Sequence, residues 1–223
     1  MFPQQALEFL EDLKINNNRD WFQANQDRYK TYKQTYRDTV EAFVTEISKS
    51  EESLQHLEFK NCSFRINRDV RFSKDKAPYK TNMGIWMSAG TKNFSLAGYY
   101  IHIEKGASFI AGGMYQPNPA ELKKIRREIA GFHEDLEEIT NNKELNSIYG
   151  GLERTEKNSL KTAPKGYEKD HIAIEFLRLK SFVAVAKLDD KDLESDNFIQ
   201  ETTQKLLVLK PLVEFINRAL TTE

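Results

Sequence analysis

The chain has almost no cysteine. Cys62 is the one thiol among 223 residues, so no intramolecular disulfide can form and a reducing compartment is expected. The same shortage argues against structural zinc, whose usual ligands include several thiolates. No apolar run approaches the ~20 residues of a membrane span. The opening MFPQQALEFLEDL lacks a basic start and carries acids where a leader's apolar core would run, which predicts no signal peptide. A soluble, cytoplasmic protein with no membrane partner is the expectation. Surplus charge is missing too. The 33 Lys and Arg face 34 Asp and Glu for a net of −1, which argues against a general nucleic-acid coat. G-x-S-x-G, H-E-x-x-H and G-x-x-x-x-G-K-[ST] are all absent, so those hydrolase, metalloprotease and P-loop chemistries have no footing. Repeats, low-complexity tracts and obvious linkers are absent as well. With 39% apolar residues the chain can bury a sizeable core, and one domain over 1–223 is expected.

What is present reads as helices around a run of strands. Leu7, Leu10 and Leu13 mark a first helix over Phe2–Ile15, ended by Asn16, Asn17 and Asn18. Asn18 or Asp20 would cap a long second helix, Trp21–Lys49. Phe22, Tyr29, Tyr36 and Phe43 fall seven apart along it. That stripe is read as core-facing, with a stacking platform for bases as the alternative. After a polar connection at Glu51–Lys60, strands are predicted at Phe64–Ile66, Met83–Ala89, Gly98–Glu104 and Ala107–Tyr115. Gly90–Ala97 reads as a polar loop, and Lys105 with Gly106 as a two-residue turn. Gly112 and Gly113 mark a bulge or a close approach.

Asn118, Pro119 and Glu121 begin a helix with a capping box, and a short acidic helix follows over Phe132–Thr140. Lys143–Lys161 reads as turns with one or two short strands. His171–Leu179 is a short helix, Ser181–Leu188 a strand, and a C-terminal helical region is kinked or divided at Pro211. Clustered hairpin strands flanked by helices give α+β, with a mainly antiparallel sheet and long helices toward both termini.

One stretch concentrates the charge. Within the sixteen positions Arg65–Lys80, six bases face only Asp69 and Asp75, for a net of +4. In a near-neutral chain this marks a place where something negative is handled. Pro78 biases its neighbour toward extended backbone, so Asp69–Asn82 reads as an ordered loop carried by a strand.

The segment from Arg68 to Thr81, RDVRFSKDKAPYKT, closely resembles the signature of the family called domain of unknown function 2461, RD-x-RFS-x-DK-x-PYKT. Asn17, Arg19, Trp21 and Phe22 resemble its N-x-R-x-WF element, and Tyr99 and Tyr100 its YY strand. Gly113, Tyr115 and Pro117 resemble G-x-Y-x-P, followed by Leu122 and Arg126. Pro164, Gly166, His171 and Lys180 resemble a later P-x-G…H…K stretch. The resemblance runs nearly end to end. It implies a shared site without naming a reaction.

Arginine grips an anion through a planar fork and lysine adds a mobile point charge. Arg68, Asp69, Arg71, Ser73, Asp75, Lys76, Tyr79 and Lys80 are therefore candidate binding residues for a phosphate-containing small molecule, with nucleic acid also open. Arg19, Tyr115, Lys161 and His171 are candidate additions. Two alternatives stand beside this reading. Asp69 and Asp75 could hold Mg²⁺ in a phosphoesterase or nuclease; otherwise no cofactor is expected. Or the ion pairs only pin the loop, as in a structural or protein-interaction domain. Anion binding is placed first because six cations leave a surplus once two aspartates are paired. Cys62 reads as packing beside Phe64 in a strand, and the four histidines show no ligand spacing.

Overall fold

The computed structural model describes residues 1–90 and 95–222. Helices α1 (Gln4–Ile15), α2 (Arg19–Ala24), α3 (Gln26–Ile47) and α4 (Phe59–Cys62) precede strands β1 (Met83–Met87), β2 (Gly98–Ile103) and β3 (Phe109–Met114). Then come α5 (Pro119–Gly131), α6 (His133–Thr140), α7 (Lys143–Tyr149), α8 (Ile174–Leu177), β4 (Phe182–Lys187), α9 (Asp190–Glu194), α10 (Phe198–Leu207) and α11 (Lys210–Thr221). The strands form one antiparallel sheet in the order β1-β2-β3-β4, so the fold is α+β. Among the described residues no helix is long and apolar enough to cross a membrane.

By contacts the chain divides into two compact units. The first comprises Met1–Met87, Tyr100–Ile110 and Lys187–Thr203; the second comprises Ser88–Tyr99, Ala111–Ala186 and Gln204–Glu223.

In the first unit α3 is the spine. Tyr32, Tyr36, Val40, Phe43 and Ile47 are buried along one face, at the spacing that sets residues on a common stripe. α1 and α4 pack on α3, and α4 packs on β1. Met83, Ile85 and Met87 alternate inward from β1 and are fully buried, while Trp86 is half-buried on the other side, as a period of two requires. Burying each such side chain contributes roughly 1.5–3 kcal/mol.

The second unit packs α11 on α5 and α6, and α5 on α8. Arg218 joins α11 to both neighbours by donating to Glu128 and, at 2.8 Å, to Asp135. Gly113 has φ +121, and a Cβ there would stand 2.0 Å from the Phe182 carbonyl oxygen. This is the close approach that the paired glycines announce.

Several boundaries differ from the sequence reading. The long second helix is two helices, broken at Asn25 (φ −112, ψ 27). There the side chain of Asn25 donates to the Trp21 carbonyl at 2.9 Å and that of Gln26 to the Phe22 carbonyl at 2.9 Å. These amides take over acceptors at the helix end. Residues 59–62 are helical, so Cys62 is not on a strand. It is buried in α4, and burial pushes its thiol up to about 12, consistent with packing. In place of the strand expected at Phe64–Ile66 stand two isolated bridges on either side of it, Ser63 to Ile85 and Asn67 to Tyr79, with a bend at Ile66. Lys143–Tyr149 is a helix, capped by Asn142 and closed by Gly150 at φ 68. The helix at 171–179 shortens to the four residues of α8. Pro211 does divide the C-terminal helices. The middle of the loop expected at Gly90–Ala97, residues 91–94, lies outside the described residues.

Candidate ligand-binding site

The site begins with three consecutive asparagines. Asn18 caps α2 by accepting from the Trp21 N–H at 2.9 Å. Asn17 turns the other way and treats Tyr79 as a strand would. Its side-chain N–H donates to the Tyr79 carbonyl at 2.9 Å, and its side-chain oxygen accepts from the Tyr79 N–H at 3.0 Å. Phe22 then stacks on the Tyr79 ring, with centroids 4.0 Å apart and planes 19° from parallel. The N-x-R-x-WF and PYKT elements are thus two halves of one contact. Tyr79 is buried, and its ring is part of the support.

From that anchor a short ladder runs outward. The Arg68 N–H donates to the Pro78 carbonyl at 2.9 Å, and the Lys80 N–H to the Ile66 carbonyl at 2.7 Å. Beyond it the loop closes on itself. Arg71 forks onto Asp69 through Nε at 3.0 Å and Nη2 at 2.7 Å. Arg68 donates to Asp75 at 2.5 Å and to the Ala77 carbonyl at 3.0 Å. Asp75 also accepts from the Ala77 N–H at 2.9 Å. That backbone bond and Arg68 hold the Asp75 carboxyl below its ordinary range. The Arg71 fork does the same for Asp69. Lys76 donates to the Val70 carbonyl at 2.9 Å. Ser73 is half-buried, and its N–H donates to the Val70 carbonyl at 3.3 Å. Phe72 stands at the tip, 95% exposed.

Both aspartates are therefore paired within the loop; Asp69, Arg71 and Asp75 are exposed and Arg68 is half-buried. No group of three or more His, Cys, Asp or Glu side chains placed to hold a metal ion occurs among the described residues.

At the base of this loop lies a hollow of about 430 Å³. Its cations are Lys33 from α3, Lys60 from α4, and Arg65 and Lys80 from the two sides of the ladder. Tyr29, Tyr32 and Tyr36 from α3, with Phe59 and Phe64, supply its rings; among the described residues no carboxylate lines it. Lys60 pairs with Glu58 at 2.8 Å. Lys80 is different. Half-buried, its ammonium has no ion-pair or hydrogen-bond partner among the described residues, and its Nζ lies over the Phe64 ring, 5.1 Å from the centroid. Burial pulls its ammonium below the ordinary lysine value, because a desolvated charge is disfavoured.

Two devices fix the walls. The Tyr36 hydroxyl accepts from the Phe64 N–H at 2.9 Å and donates to the Gly84 carbonyl. Burial drives its pKa up. Behind Asn82, on the cleft wall, His102 Nδ1 faces the Asn82 amide at 3.4 Å and the Tyr100 hydroxyl at 3.3 Å. His102 Nε2 faces Glu104 at 3.2 Å. Donation from Nε2 to that carboxylate leaves Nδ1 as the acceptor for Asn82 and Tyr100. Lys14 closes the chain at 2.8 Å from Glu104. Burial pushes the Glu104 carboxyl up, but its bonds to Lys14 and His102 outweigh that and hold it below its ordinary value.

The other sequence candidates sit elsewhere. Arg19 is exposed on the first turn of α2. Tyr115, Lys161 and His171 belong to the second unit. There the Tyr115 hydroxyl accepts from Gln116 at 3.1 Å, the Lys161 carbonyl from Arg178 at 2.6 Å, and His171 Nδ1 from the Ala173 N–H at 3.1 Å. Sequence reasoning missed Lys33 and Lys60, which lie outside the cationic stretch. The tyrosine stripe on α3 was the available signal. Its buried part is core, and its Tyr29 end opens onto the cleft.

Fold and site define an α+β protein in which an internally wired basic loop stands over a cleft lined by rings and cations. The sequence model of the family described as conserved hypothetical protein (DUF2461) matches residues 5–215, and the chain belongs to that family. No curated protein and no solved structure matches it.

Proposed function

We propose that the protein binds a small anionic ligand, of the phosphate-bearing kind, in the cleft at the base of the RDVRFSKDKAPYKT loop. The observation that carries this reading is Lys80, a half-buried ammonium that, among the described residues, has no counter-ion and lies on the wall of a hollow lined by no carboxylate. A cation held so is costly unless an anion meets it. Arg65 and Lys33 face the same hollow and add to its positive field. In this reading the loop's ion pairs are the frame. Arg68 with Asp75, and Arg71 with Asp69, stiffen the tip, and the ladder beneath sets Arg65 and Lys80 on the wall. The test is a thermal-shift and calorimetry series with inorganic phosphate, pyrophosphate, ribose 5-phosphate and adenosine 5′-monophosphate, on the wild type and Lys80→Met. Ligand at about 100 times Kd should raise the melting temperature by roughly 5–10 °C, and Lys80→Met should lose most of that gain while remaining folded. No stabilisation by any of these anions beyond matched chloride would end the proposal.

A further inference from the structure

We infer that the ligand of this cleft is a free phosphate ester carrying one flat aromatic ring, the chemical class of a mononucleotide. This rests on the anion-binding reading and goes further, to what else the ligand contains. A bare anion needs cations and N–H donors and gains nothing from rings, while a purely apolar ligand needs rings and is indifferent to Lys80. The cleft offers both on adjoining walls. Its volume of about 430 Å³ falls in the range of roughly 300–1,000 Å³ typical of small-molecule sites and exceeds what one phosphate fills.

The rings are placed to receive a partner. Phe64 is 46% exposed, an unusual fraction for a phenylalanine beside a cleft. It is held on edge against Tyr100, with centroids 6.2 Å apart and planes at 77°. That contact uses one side of the pair and leaves ring surface toward the hollow. Tyr29, half-buried on α3, lines the same hollow. A flat ring against such aromatic surface stacks whatever its substituents, because every base has a π-face. Lys80 Nζ lies over the Phe64 ring, 5.1 Å from its centroid, so the cation and the aromatic surface adjoin on the wall of one hollow. Asn82 supplies the polar edge. His102 and Glu104 hold its amide from behind, so it presents a fixed hydrogen-bonding group to the ring of the ligand.

The experiment is a calorimetric comparison on the intact wild-type chain of adenosine 5′-monophosphate, ribose 5-phosphate, inorganic phosphate and adenosine. Adenosine 5′-monophosphate should bind about tenfold to hundredfold tighter than ribose 5-phosphate, the contribution of one stacked base. Phe64→Leu should remove most of that ratio. Equal affinity for the two phosphates would overturn the aromatic assignment and leave anion binding standing. Binding of none of the anions would overturn the anion reading itself. Tighter binding of a short 5′-phosphorylated single strand than of the mononucleotide would overturn the free small-molecule assignment. The comparison across ligands needs no variant, so a folding defect in Phe64→Leu does not blunt it.

Discussion

Tyr36→Phe removes one oxygen and no volume that matters. The phenol is 5% exposed, and its hydroxyl stands between the Phe64 N–H and the Gly84 carbonyl. In the variant both backbone groups lose their partner. Gly84 is buried on β1, so its carbonyl is poorly placed to find water and carries much of the penalty of an orphaned group, about 1–3 kcal/mol. The Phe64 N–H lies nearer the surface, beside a residue that is 46% exposed, and water can replace part of its bond. The two together give a loss of about 2–4 kcal/mol. For a chain of this length that corresponds to a fall of roughly 5–15 °C in melting temperature. Urea unfolding of both proteins is the assay, with the midpoint falling and the slope unchanged if only stability is altered. The ring of Phe64 should also lose its fixed setting, so adenosine 5′-monophosphate affinity should fall. A stability change below about 0.5 kcal/mol would refute the claim that this hydroxyl ties the cleft wall to the sheet.

Gly113→Ala should be far worse, because φ +121 and a Cβ 2.0 Å from the Phe182 carbonyl oxygen leave no room; a loss above about 4 kcal/mol, or no soluble protein, is expected by circular dichroism and yield. Arg71→Ala should leave the melting temperature unchanged within error, since its pair with Asp69 is exposed on both sides and exposed pairs stabilise little. Phosphate affinity should fall as pH rises, beginning below the ordinary lysine range, because burial lowers the Lys80 pKa and only the ammonium attracts the anion. Burial raises the facing phenols Tyr29, Tyr32 and Tyr36, so Lys80 titrates before them, and calorimetry on Lys80→Met should lack that step. The Glu104 carboxyl is held below its ordinary 4.5. Its stabilising contribution is therefore present above the unfolded value and lost as pH falls through the folded one. Glu104→Gln should make acid unfolding less steep there.

The sequence by itself determined whatever depends on neighbours along the chain. The capping box at Asn118 and Glu121, the inward alternation of Met83, Ile85 and Met87 and the division at Pro211 are local physics, legible within a few residues. That Asp69 and Asp75 could pair within their own loop was legible too, but Arg68, Arg71 and Lys76 were all open as partners, and the fold decides that Arg71 takes Asp69 and Arg68 takes Asp75. Short helices were harder. α4 and α7 span barely one or two turns, too few for a period to show, although Asn142 and Gly150 were caps in plain view. Only the tertiary structure decided the site. Lys33, Lys60, Arg65 and Lys80 come from α3, α4 and the two sides of the ladder, and they share one hollow because those segments meet in the fold. The same packing decides which cations are already satisfied. Arg68 and Arg71 find carboxylates within their own loop, whereas Lys80 is turned toward rings, and no count of charges along the sequence separates the two. Spacing specifies local geometry, but a charge left without a partner is a property of the space around it, and that space exists only once the chain has folded.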